Sequence, residues 1–195
     1  MRAIVIREPG GPEVLELRET PTPEPAKGEV RVRVRATAVN RADLLQRMGA
    51  YPAPPGSPKD IPGMEFSGEI DALGDGVEDL DGKKFARGDR VLGLVGGGSY
   101  AEYLVVHART LARMPDDLSF IDAAALPEAF TTAYDAMVTQ AGLASGDTLL
   151  IHAVGSGVGT AGLQIAKALG ARVIGTARTE SKLGRARDLG LDDAV

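Results

Sequence analysis

Apolar and charged residues alternate through Glu29 to Val39, EVRVRVRATAV, and a period of two is the pattern of a strand with one face in water. Upstream, MRAIVIRE and VLELRET flank PGGPE, which predicts two short strands around a turn. NRADLLQRMG predicts a short helix ended by Gly49. The following YPAPPGSPKDIPG predicts an irregular loop, because proline cannot donate to a ladder. GEIDALG, DRVLGLV and YAEYLVV, each bounded by Gly or Asp, continue the sheet. The first half therefore reads as β-rich.

The pattern changes after Ser119. Ser119 with Asp122 three positions on is close to a capping box, and Pro127 divides the segment up to Gly142 into two helical pieces. DTLLIHA predicts a buried strand. Val158, Gly162, Ile165 and Leu169 then recur at helical spacing, which predicts the inner face of a helix stopped by Gly170. ARVIGTA is a second strand, ESKLGRARDLG a second helix and DDAV the entry to a third strand. A β-α-β-α-β order predicts a parallel sheet with helical crossovers. Ten of the twelve prolines precede Gly63, whereas the helical periodicities begin after Ser119. A boundary is expected near 115–125, giving a first domain over 1–120 and a second over 121–195.

A chain of 195 residues, 44% hydrophobic, can bury a real core, and no repeat interrupts it. The net charge of −5 disfavours nucleic acid, whose binding needs a basic face. No apolar run approaches the roughly 20 residues of a bilayer span, and no basic segment with an apolar run opens the chain, so no membrane association and a cytoplasmic location are expected. Cysteine is absent, and His107 and His152 are the only imidazoles. Thiolate chemistry is excluded, and no metal site is expected.

One stretch carries candidate chemistry. Gly155, Gly157, Gly159 and Gly162 lie between a predicted strand and a predicted helix, and Gly157 to Gly162 reads G-x-G-x-x-G, with a register two or three residues earlier also open. In that context glycines let the backbone approach a pyrophosphate, which the free N–H groups and the helix dipole attract. An acidic residue that would bond a ribose 2′-hydroxyl is expected about 20 residues on, at the end of the second strand. Ala177 stands there, followed by Arg178, Thr179, Ser181 and Lys182, a set able to hold a 2′-phosphate. NADP(H) is favoured over NAD(H).

In order along the chain, MRAIVIREPGGPEVLEL, AVNRADLLQRMGAYP, PGMEFSGEI, ARGDRVLGL, GSYAEY, FTTAY and HAVGSGVGTAGLQIAKALGA resemble the zinc-independent quinone oxidoreductases of the medium-chain dehydrogenase/reductase superfamily. The resemblance implies a β-rich GroES-like catalytic domain followed by an α/β Rossmann domain, with the active site in the cleft between them. It implies NADPH-dependent reduction of quinones or conjugated enones. An enoyl thioester reductase and a non-catalytic NADPH-binding protein are the alternatives. Asn40 stands where the superfamily's zinc enzymes have a cysteine ligand and Met64 where they have histidine, so zinc-free chemistry is implied. Asn40 and Tyr51 resemble the polar residues lining the cleft: Tyr51 as a donor to the substrate carbonyl, Asn40 as a holder of nicotinamide or substrate and also a natural helix cap. Thr132 resembles a cofactor-contacting threonine. The cofactor set is then Asn40, Thr132, Gly155, Ser156, Gly157, Val158, Gly159, Arg178, Ser181 and Lys182, with no metal ligand. A Rossmann domain has two β-α-β-α-β halves, and Val195 falls at the third strand. A shortened form is expected, inactive toward quinones by itself, of a parent that is a homodimer.

Overall fold

The computed structural model describes Met1–Val195, and the chain divides into two compact units, Met1–Glu128 and Ala129–Val195. In the first, β1 (Arg2–Ile6) and β2 (Leu15–Glu19) form an antiparallel pair around a 3₁₀ turn at Pro12–Val14. β3 (Glu29–Thr37), β4 (Glu65–Leu73), β5 (Arg90–Leu94), β6 (Tyr103–His107) and β7 (Leu111–Arg113) make an antiparallel sheet in the order β6-β3-β4-β5-β7. The alternation along β3 does what its period dictates: Val30 and Val32 are fully buried while Arg33 and Arg35 stay exposed. They pack with Phe66, Ile70, Val91 and Leu104 in the core of the unit.

One sequence expectation needs correction here, and one strand lies outside the sequence expectations. β4 begins at Glu65 rather than Gly68, so a buried glutamate and a buried serine lie inside a central strand. Both are hydrogen-bonded, Ser67 to the Phe120 carbonyl, which is the condition for burying polar groups in a sheet centre. The short β7, reached through a 3₁₀ turn at Ala108–Thr110, has no periodicity long enough to announce itself. α1 (Arg41–Arg47) and α2 (Phe120–Ala124) complete the unit, and α3 (Pro127–Tyr134) starts at its end with proline in the first helical position.

The second unit continues from α3 into a π-helical stretch, Asp135–Gln140, in which the Gln140 amide reaches the Asp135 carboxylate at 2.6 Å. β8 (Thr148–Ile151), α4 (Gly157–Ala168), β9 (Arg172–Gly175), α5 (Glu180–Asp188) and β10 (Asp193–Ala194) follow, and the strands pair in parallel in the order β10-β9-β8. Val154, Leu163, Val173, Leu183 and Leu191 form its core. The buried residues of α4 are Gly159, Ala161, Gly162, Leu163 and Ala166, so Gly162 of the expected face is buried and Ile165 half-buried, whereas Val158 and Leu169 are exposed. Small residues win because they let the helix backbone close on the sheet, leaving Val158 41% exposed. β8 also departs from the buried strand that its composition suggests. It forms one edge of the sheet, and Leu150 is 52% exposed because no element of the chain covers that face.

Candidate functional site

In the second unit, the chain leaves β8 through His152 and Ala153, turns, and enters α4 at Gly157. Ala153 has φ of +53°, a left-handed conformation unusual for a residue with a Cβ. Val154 then donates to the Thr176 carbonyl at 3.0 Å and Ser156 donates back to Ala153 at 2.9 Å. Ser156 is the N-cap of α4, its hydroxyl oxygen accepting from Gly159 N–H at 3.1 Å. Its own O–H remains able to donate outward. Gly157 and Val158, in the first turn, have no intrahelical carbonyl to bond, so their N–H groups remain free to donate to a ligand.

The glycine register follows from what a side chain would meet. At Gly159 a Cβ would lie 2.5 Å from the Ala153 carbonyl oxygen and 2.8 Å from Val154 Cα, whereas at Gly157 nothing lies within 4 Å. Gly159 is therefore the glycine of close helix–strand packing, the third of the fingerprint, and the register lies three residues earlier than Gly157–Gly162. Ser156 occupies the middle position. At Gly155 a Cβ would fall 2.8 Å from Lys182 Cβ, so the loop and the start of α5 are in close contact.

That contact borders a cavity of about 410 Å³ lined by Ala153, Gly155, Ser156, Thr176, Ala177, Arg178 and Lys182. It contains no carboxylate. Glu180, the one acid among these basic residues in sequence, is taken by Arg187 along α5. The other ion pairs of the unit are Lys167–Asp192 and Arg172–Asp193, so Arg178 and Lys182 have no carboxylate partner. Val158 and Ser181 are exposed and do not line this cavity, and neither does Thr132, exposed on α3. His152 bonds Thr176 at 3.1 Å beside it.

The first unit holds a polar network that sequence reading only touched at Asn40. Asn40 is the N-cap residue of α1, and its backbone N–H donates to Asp43 Oδ2 at 2.7 Å. Its side-chain nitrogen donates to Glu65 Oε1 at 2.8 Å, and the Glu128 backbone N–H donates to Glu65 Oε2 at 2.8 Å. Asp43 also accepts from Gly63 N–H at 3.1 Å and from the Tyr100 hydroxyl at 3.1 Å. Burial, then the neighbouring Asp43 charge, push the Tyr100 phenol above its ordinary range, which keeps it protonated as a donor. Thr37 ties the other end of the cluster, bonding the Glu65 carbonyl and the Ser99 hydroxyl, each at 2.7 Å. Glu65 and Asp43 carried a signal in the sequence: an acid inside an apolar segment must be paired if buried.

Tyr51 lies elsewhere in this unit. It is 40% exposed and lines a hollow of about 450 Å³ with Ile6, Gln46, Pro52, Lys59 and other residues, a set that does not include Asn40. The donors at the position of the zinc enzymes' ligands do not fit zinc. The Asn40 amide and the Glu65 carboxylate are engaged with each other, Met64 offers a neutral thioether, and no three His, Cys, Asp or Glu side chains gather to hold a metal ion.

Two family models match the chain, the alcohol dehydrogenase GroES-like domain over residues 26–116 and the zinc-binding dehydrogenase over residues 157–195. The chain belongs to the medium-chain dehydrogenase/reductase superfamily. Within it, the human quinone oxidoreductase is 38% identical over 183 residues, 92% of this chain and 54% of that protein. The Escherichia coli quinone oxidoreductase, solved with NADPH, superposes with a TM-score of 0.88 at 33% identity, covering all of this chain and 58% of that one. The CurK enoyl reductase superposes equally well, with a TM-score of 0.88 at 28% identity over 99% of this chain and 58% of its own. The chain thus spans about half the length of these relatives. The fold is that of the superfamily, a GroES-like domain followed by part of a Rossmann-type domain, and its relatives include quinone oxidoreductases, one of them solved with NADPH. No helix is long and apolar enough to cross a membrane.

Proposed function

We propose that the protein carrying this chain is a cytoplasmic, homodimeric NADPH-dependent reductase of quinones or conjugated enones that works without zinc. The cavity at the glycine loop carries the proposal: Gly155, Ser156, Arg178 and Lys182 line it together, and no carboxylate lies among them. A diphosphate fits the N–H groups at the start of α4, and a 2′-phosphate fits the two unpaired cations. Ala177 leaves room where a carboxylate would select a free ribose. We assign residues 1–120 to substrate binding and 121–195 to the cofactor, with Thr132, Val158 and Ser181 as further cofactor contacts.

NADPH supplies the hydride when bound. The chain's own residues bind and orient. Tyr51, whose hollow opens to solvent, donates its hydroxyl to the carbonyl oxygen of the substrate, and Asn40 holds the nicotinamide end. With no Lewis acid, a simple ketone gains too little polarisation. A quinone or enone already accepts hydride, and hydrogen bonds suffice for the developing oxyanion. The proton that completes reduction comes from solvent.

The test is NADPH oxidation by the whole protein against a panel of quinones, a simple enone and a crotonyl thioester. Turnover is expected with quinones and the enone. Faster turnover of the thioester would favour an enoyl thioester reductase, the second reading, which the likeness to the CurK enoyl reductase supports. NADPH binding with no turnover on any substrate would point to a non-catalytic binding protein.

A companion expectation concerns metal. Elemental analysis of chelator-washed protein is expected to find no stoichiometric zinc, because the donor set described above lacks thiolate and imidazole. About one zinc per chain would overturn the choice of activated substrates along with it.

A further inference from the structure

Glu65 is 2% exposed and accepts two N–H donors, one on each carboxylate oxygen. The donor on Oε2, the Glu128 backbone N–H, cannot turn. The donor on Oε1, the Asn40 side chain, can, since an amide presents N–H on one side and a carbonyl on the other. Both carboxylate oxygens act as acceptors here, and it is the amide nitrogen of Asn40 that faces Oε1.

We propose that Glu65 is a positioning residue: it locks the Asn40 amide with its nitrogen turned inward, so that position 40 offers a ligand its carbonyl oxygen and receives a hydrogen-bond donor, such as a carboxamide N–H or a ribose hydroxyl. This rests on the reading of Asn40 as a ligand-lining residue. Asn40 also belongs to the capping box of α1: its backbone N–H donates to Asp43 and its side-chain oxygen lies at the Asp43 backbone N–H, and a carbonyl oxygen keeps a second lone pair for a ligand.

The inference makes an unusual demand on substitutions. In Glu65→Gln the side-chain oxygen must stay with the immovable Glu128 N–H, which brings the new NH₂ against the Asn40 NH₂. Two donors cannot bond, so the Asn40 amide turns over and shows its NH₂ to the ligand. Adding Asn40→Asp restores every bond: the new carboxylate accepts from the new amide, remains a good N-cap, and again presents an oxygen. The pair also keeps one negative charge, merely exchanged between the two positions.

The experiment compares the wild type, Glu65→Gln and the double variant Asn40→Asp/Glu65→Gln, using the full chain, side-chain amide exchange by ¹⁵N NMR, and NADPH titration. In the wild type an Asn40 amide proton is expected to exchange slowly; in Glu65→Gln that protection passes to the side-chain amide introduced at position 65. NADPH affinity is expected to fall about tenfold in Glu65→Gln, the scale of one misdirected hydrogen bond, and to return to within about threefold in the double variant. Freely exchanging Asn40 protons in the wild type, or retained protection of Asn40 in Glu65→Gln, would overturn the proposal. So would a double variant that melts like the wild type yet binds NADPH as weakly as Glu65→Gln. If the single variant does not fold, the double variant alone decides: binding within about threefold of the wild type supports the proposal, and a loss of about tenfold or more in a variant that melts like the wild type overturns it. Failure of the wild type to bind NADPH would instead sink the cofactor reading, and the exchange pattern, which needs no ligand, would still decide whether Glu65 orients Asn40.

Discussion

Replacing Gly159 with alanine is expected to destabilise the second unit by about 2–3 kcal/mol and to abolish measurable NADPH binding, while Gly157→Ala, two residues away, leaves the stability of the unit nearly unchanged. The two glycines belong to the same motif but meet different surroundings. The new methyl at 159 would sit 2.5 Å from the Ala153 carbonyl oxygen and 2.8 Å from Val154 Cα and its carbonyl oxygen, all backbone atoms. None of them can swing away like the end of a side chain. Val154 is fully buried and hydrogen-bonded to Thr176, and Ala153 already holds a positive φ. Relief must therefore come from lifting the first turn of α4, which moves the N–H groups that would hold a diphosphate. At 157 the methyl would meet nothing within 4 Å, and alanine favours helix over glycine by up to about 1 kcal/mol. Thermal melts and NADPH titration of the two variants side by side provide the check. Equal behaviour of the pair would mean that Gly159 is not the close-packing glycine.

Arg178→Ala combined with Lys182→Ala is expected to reduce the preference for NADPH over NADH by at least about tenfold, equivalent to ~1.4 kcal/mol of charge-assisted contact. Both side chains border the cavity at the glycine loop, and neither is neutralised, because the acids nearby are committed to Lys167, Arg172 and Arg187. NADH affinity should stay nearly constant, since the adenine ribose of NADH carries no 2′-phosphate for them to meet. The NADPH contacts should also weaken with ionic strength, as exposed charges do. Affinities for both nucleotides, measured at two salt concentrations, separate the outcomes. An equal loss for NADH would assign the two residues to support of the loop, which the contact between Gly155 and Lys182 makes a real alternative.

Much of the molecule is determined by its sequence alone. Alternation in EVRVRVRATAV specifies β3 and its buried valines because a strand's side chains change face at every residue. The order of strand, glycine turn and helix specifies the parallel unit, and proline at 127 starts α3 because its missing N–H is harmless there. The alanine at 177, where a ribose-binding acid is expected, with Arg178 and Lys182 following, is equally local information.

Tertiary structure decided what depends on proximity between distant positions. Which glycine of the loop is indispensable depends on how closely α4 approaches Ala153, and the spacing of the motif fits more than one register. The inner face of α4 went to its small residues, because close approach of backbone outweighs the size of the side chain buried. Leu150 is left in solvent although its strand reads as core, since burial requires a covering element and β8 is an edge. The pairing of Asn40 with Glu65 joins residues 25 positions apart, and that of Glu65 with Glu128 joins residues 63 apart. A sequence can announce that a buried acid needs partners; only the folded chain chooses them, because hydrogen bonds are made between neighbours in space.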